Sequence, residues 1–177
     1  MKKTIFVLIL IVFFLQYSTF SMIEGFSVFS TELILCFLLA LFLRRTYLEN
    51  LTWAFFAGLL VDYFSDSVLG FNVLVFAVIV FVIDFLKRKL ALKEMHFSIV
   101  AIIVFFGTIL SDFLILFFSN LLLLVKILDN PISIDFSWNY FLVKILLAVI
   151  GFFFYRTILF IEKVFGIGLR EIRIDKI

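Results

Sequence analysis

The sequence is poor in the residue types that punctuate or cross-link a soluble fold. Its 177 residues include one proline, one cysteine, one histidine and seven glycines, and 16% of them are charged. A single cysteine, Cys36, excludes a disulfide framework and a cysteine-rich zinc site. Set inside the apolar run "LILCFLLALFL", it reads as a small buried hydrophobe. The histidine, His96, falls beside Lys93 and Glu94 in a charged connector, where it reads as a solvated loop residue rather than a ligand or base. No nucleophile with an adjacent base, phosphate-cradling glycine loop, zinc spacing or nucleic-acid signature appears. The sequence therefore predicts a protein that is not an enzyme, holds no cofactor or metal and binds no nucleic acid.

What the sequence has instead is hydrocarbon. It is 66% hydrophobic with 28 Phe and a mean hydropathy of +1.30, against roughly 45–50% apolar residues in ordinary soluble domains. A chain this short has no core large enough to hide so much apolar surface, so lipid is the expected solvent. Cutting the chain where polar residues cluster gives about six segments near membrane length: Thr4–Phe20, Phe29–Leu43, Leu51–Ser65, Phe71–Leu86, Phe97–Phe118 and Trp138–Ile161. The second and third are short for a helix crossing unbent, which suits oblique spans or snorkelling flanks. The expected fold class is an all-α integral membrane protein, a compact bundle of about six transmembrane helices forming one polytopic domain over residues 1–177. The start "MKKTIFVLILIVFFLQYSTFS" is signal-like but lacks a small-x-small cleavage site, so it is read as a retained first span.

Lysine and arginine set the orientation. Lys2 and Lys3 precede the first span, Arg44 and Arg45 follow the second, Lys87, Arg88, Lys89 and Lys93 follow the fourth, and Lys163, Arg170, Arg173 and Lys176 follow the last. All map to one side, which predicts a multi-pass protein with both termini cytoplasmic. The loop around Pro131 has an apolar half suited to a short interfacial helix. Residues 162–177 form a short basic cytoplasmic tail whose basic and apolar residues alternate. It reads equally as a segment resting on anionic headgroups or a cytoplasmic partner, and as a solvated stop-transfer tail.

Ionisable residues inside spans are costly and usually face protein. Asp112 and Lys144 each lie about 9 Å from the outer end of the fifth and sixth spans at about 1.5 Å per residue, so a direct contact is geometrically allowed. Asp84 and Arg156 both fall near cytoplasmic ends, and Arg88, one turn after Asp84, suits a local ion pair. Such pairs read as fixing helix register in preference to relaying protons or ions.

Two further carboxylates, Asp62 and Asp66, sit in "FFAGLLVDYFSDSVLGFNVLVF". In a helix Ala54, Gly58, Asp62 and Ser65 share one face, a small and polar stripe that allows close approach of another backbone. "SDSVLGFN" reads as a helix end, a turn at Gly70 and an Asn72 that caps the next helix. Ala54, Gly58, Asp62, Gly70 and Asn72 are accordingly the expected helix-packing or partner-docking residues.

The same residues carry a resemblance. Gly58, Leu59, Leu60 and Asp62, then Leu69, Gly70, Asn72 and Leu74, followed by the basic "LKRKL", resemble the central motif of the rod shape-determining MreD family. That resemblance implies a non-enzymatic subunit of the bacterial elongation machinery in the inner cell membrane. It implies direct binding of MreC, with MreB, RodA and a penicillin-binding transpeptidase in the same assembly, and a role in positioning and regulating peptidoglycan synthesis. The family's fold is similar to the S-components of energy-coupling-factor transporters, so the alternative is a small-molecule-binding membrane subunit for vitamin uptake.

Overall fold

A computed structural model of the chain describes residues 2–15, 32–64, 68–90, 97–126 and 137–164. These form six helices: α1 (Lys2–Leu15), α2 (Leu33–Phe42), α3 (Tyr47–Phe64), α4 (Phe71–Leu90), α5 (Phe97–Leu124) and α6 (Trp138–Val164). No strand occurs among the described residues, and the chain is an all-α bundle. Asp66, His96, Pro131 and the tail from residue 165 lie outside the described residues, as do the ends expected for the first span at 16–20 and the second at 29–31. Two helices, α5 and α6, are long and apolar enough to cross a membrane.

The architecture is built around α2. Its ten residues, LILCFLLALF, are apolar on every side, and a helix without a polar face is stable only when wholly covered. All ten are buried, and α2 touches α1, α3, α4, α5 and α6. At about 1.5 Å per residue it is about 15 Å long. It forms the hub of the bundle, and the longer helices pack around it as two hairpins, α3 with α4 and α5 with α6, with α1 beside it.

Close approach within the α3–α4 hairpin depends on Gly58. A Cβ there would stand 2.6 Å from the Val73 Cα and 2.7 Å from its nitrogen, so the two backbones are in contact. Gly151 on α6 plays a looser part against α5, where a Cβ would meet the Val104 methyls at 2.7 and 2.8 Å. Ala54 and Ala57 are fully buried on the same side of α3 as Gly58. The small-residue stripe is thus consumed by packing inside the chain.

Several helix ends differ from the sequence reading: α3 begins at Tyr47 rather than Leu51, and α4 runs on to Leu90 rather than ending at Leu86. α5 continues past Phe118 to Leu124, because Ser119–Leu124 contains no breaker and Leu is a strong helix former. It ends where Lys126 turns left-handed at φ 59° and bonds back to the Leu123 carbonyl at 3.0 Å. α6 likewise continues through Glu162 to Val164, so the first part of the expected tail is helix.

The core is apolar, yet large apolar side chains also stand exposed and a few ionisable ones are buried. Phe14, Tyr63, Phe106 and Trp138 are 67%, 74%, 63% and 78% exposed, whereas Lys144 has no exposed surface and Asp62 only 2%. Buried polar groups and large exposed apolar ones are the informative departures from the usual pattern.

The two glycines give a graded expectation. Gly58→Ala forces backbone apart at Val73, whereas Gly151→Ala presses on a side chain. Overpacking of this kind costs about 1–3 kcal/mol, with Gly58→Ala the more damaging. Thermal unfolding followed by the fluorescence of the buried Trp53 checks the order.

Candidate functional site

Three polar groupings lie among the packed helices; two of them satisfy helix ends, and the other is a cluster of side chains bonded to one another. The first closes the α3–α4 hairpin. Asp62, in the last turn of α3, accepts the Gly70 N–H on Oδ2 at 2.8 Å and the Asn72 N–H on Oδ1 at 2.8 Å. The Asn72 side-chain amide donates to the same Oδ1 at 2.8 Å. The first N–H groups of a helix have no partner within it, and a carboxylate there is favoured by the helix dipole as well as by the hydrogen bonds. Gly70 adopts φ +94°, which a residue with a Cβ rarely takes, and its carbonyl receives Leu74 N–H at 3.0 Å. The capping role expected of Asn72 belongs to Asp62: Asn72 is the second residue of α4 and donates rather than caps. Asp62, Gly70 and Asn72 are brought together by these bonds, Gly58 meets the Val73 backbone of α4, and Ala54 is buried on the same side of α3.

The second grouping lies at the start of α2. The Lys144 ammonium is 2.6 Å from Asp112 Oδ2 and donates to Glu32 Oε1. The Tyr140 hydroxyl donates to Asp112 Oδ2 at 2.6 Å, and its ring lies 4.8 Å from the ammonium. Tyr140 and Lys144 are one turn apart on α6, Asp112 is on α5, and Glu32 is the N-cap residue of α2, where its carboxylate meets Lys144 instead of capping its own helix. The Asp112 and Lys144 contact allowed by depth is therefore made, and Glu32 is the member that sequence reasoning missed. Its signal was a lone acid directly before an uninterrupted apolar run.

The third grouping covers the other end of α2. The Phe42 carbonyl accepts Asn50 Nδ2 at 2.9 Å and Lys87 Nζ at 3.1 Å, and the Arg45 carbonyl accepts Lys87 Nζ at 2.7 Å. A cation at a helix C-terminus complements its dipole. Burial holds the Lys87 ammonium below the ordinary lysine range, with the Asp84 carboxylate pulling the other way. Beside it, Arg44 and Arg45 grip Glu162 at 2.6 and 2.9 Å, which ties the end of α2 to α6. Arginines that the sequence reading used only to orient the chain prove to be structural staples.

Asp84 pairs with Arg88 at 2.8 Å. Arg156 is exposed on α6 and is not part of that pair, because Arg88 is available one turn along the same helix. Among the described residues no group of three or more His, Cys, Asp or Glu side chains is placed to hold a metal ion. Chemically the three groupings fix helices relative to one another and give buried or half-buried charges bonded partners.

Asp62→Ala strands the Gly70 and Asn72 N–H groups, whereas Asn72→Ala leaves both of those backbone bonds in place. The first is expected to cost about 1–3 kcal/mol and the second clearly less, as read by the thermal unfolding midpoint of the purified chain.

Comparison with known proteins finds no family model, curated protein or solved structure that matches the chain.

Proposed function

We propose that the chain is a non-enzymatic, membrane-embedded subunit of MreD type, multi-pass in a bacterial cell membrane with both termini cytoplasmic. In this reading it binds MreC and helps position and regulate peptidoglycan synthesis, in an assembly with MreB, RodA and a penicillin-binding transpeptidase. The observation that carries the reading is the Asp62 clasp. Gly58, Asp62, Gly70 and Asn72, the residues of the family-like motif, have one joint purpose here, the closure of a tight helical hairpin.

The membrane part draws support from the exposed apolar surface. Exposed Phe on α1, α3, α4, α5 and α6 suits a lipid solvent, and buried Lys144, Asp112 and Asp62 follow the rule that ionisable groups in hydrocarbon face protein. The basic residues Arg44, Arg45, Lys87, Arg88, Lys89 and Lys163 fall toward one end of the helices, in keeping with a cytoplasmic side. Since Ala54, Gly58 and Asp62 are occupied within the chain, a partner span would meet one of the bulky outer faces.

In the source cell, depletion of this chain is expected to convert rods to rounded cells, and the tagged chain is expected to co-purify a one-span MreC-like protein. Unchanged rod shape on depletion, with no such partner recovered, would contradict the proposal.

A further inference from the structure

The last turns of α4 face a half-open groove of about 290 Å³. Its walls are Phe81, Asp84, Phe85 and Arg88 of α4 and Tyr47 from the first turn of α3. The spacings of three and four place the α4 residues on one face. We propose that this groove binds the headgroup of an aminophospholipid, a phosphate diester that also carries a primary ammonium. The inference rests on the membrane reading above and adds a ligand to it.

Charge complementarity selects this occupant. The Asp84–Arg88 ion pair uses Oδ2 and Nε at 2.8 Å, and the Arg88 side chain is 76% exposed. Its two terminal amino groups remain available as a planar fork, the geometry that suits phosphate oxygens. Asp84 Oδ1 is left as an acceptor for an ammonium. Lys89, whose ammonium stands 5.8 Å from the Phe85 ring, adds positive charge at the rim. The Tyr47 hydroxyl supplies a further donor and acceptor. Phe81 and Phe85, 63% and 55% exposed, offer an apolar wall along which an acyl chain can lie.

The same geometry discriminates among phospholipids. An anionic headgroup without an amine still offers its phosphate to Arg88 but places no positive charge against Asp84, whose free oxygen then has no partner in the lipid. A quaternary headgroup has no N–H to donate to Oδ1. Discrimination arises from these mismatches as much as from the attraction of the matched headgroup.

The test begins with membranes carrying the full chain, washed in alkaline carbonate. The retained protein is then purified in detergent and mixed with phosphatidylethanolamine, phosphatidylglycerol or phosphatidylcholine of matched chains. Lipid retention is read by intact-complex mass spectrometry. The wild-type chain is expected to hold phosphatidylethanolamine several-fold more than either other lipid. Asp84→Asn is expected to abolish that preference, and Arg88→Gln to weaken retention of all three. Equal retention of the three lipids by the wild-type chain, or an unchanged preference in Asp84→Asn, overturns the lipid site and leaves the membrane reading standing. Release of the chain by carbonate overturns both.

Discussion

One ammonium organises the interior. Lys144 has no contact with solvent, and an isolated charge in such a place is prohibitively costly. It is tolerated because Glu32 arrives from the start of α2 and Asp112 from α5, with the Tyr140 hydroxyl bonded to Asp112 from one turn away on α6. Three helices are thereby fixed to one point. Buried ion pairs are weak evidence of net stability, yet removal of one partner is strongly destabilising. Their effect here is on register. The surface of α2 is leucine, isoleucine, phenylalanine, alanine and cysteine, which packs well in many rotations and offsets. Directional bonds at its two ends select one of them.

The same constraint explains the other polar groups. A helix end leaves N–H or C=O groups without partners, and where such an end is buried these groups need partners from elsewhere. Asp62 meets the start of α4, and Asn50 and Lys87 meet the end of α2. The signs are consistent with the helix dipoles: carboxylates stand at the N-termini of α2 and α4, and an ammonium at the C-terminus of α2. Arg44 and Arg45 then join that end to Glu162. Gly70 and Gly58 allow the turn and the close approach of the α3–α4 hairpin, and a handful of charged side chains fixes the offsets of the helices around them.

Much of this was legible in the sequence, and the failures have physical causes. Apolar runs located the helices, since hydrophobic length is a strong signal. Their ends were harder to place: α5 runs past Phe118 because nothing in the leucine run stops it. Depth along consecutive helices brought Asp112 to Lys144, but that arithmetic treats neighbours in sequence and could not bring in Glu32 from a distant segment. The small-residue stripe of Ala54, Gly58 and Asp62 announced close packing without saying against what; the Val73 backbone supplies the answer. Asn72 looked like a cap because Asn often is one, and the chain instead uses a carboxylate from the preceding helix. The spacing of one turn gave the Asp84–Arg88 pair, and depth near the same end, the one argument for Arg156, does not bring that exposed residue into it.

If the polar clamp of Lys144 sets the register of α2, then α2 is the element that must loosen when the clamp is cut. Hydrogen exchange of the detergent-purified chain reads this directly. In Lys144→Met the backbone amides of Leu33–Phe42 are expected to exchange faster than in the wild-type chain, while those of the Asp62-clasped α3–α4 hairpin keep their protection. Unchanged protection of α2 in that variant would contradict the claim that this ion cluster holds the bundle in place.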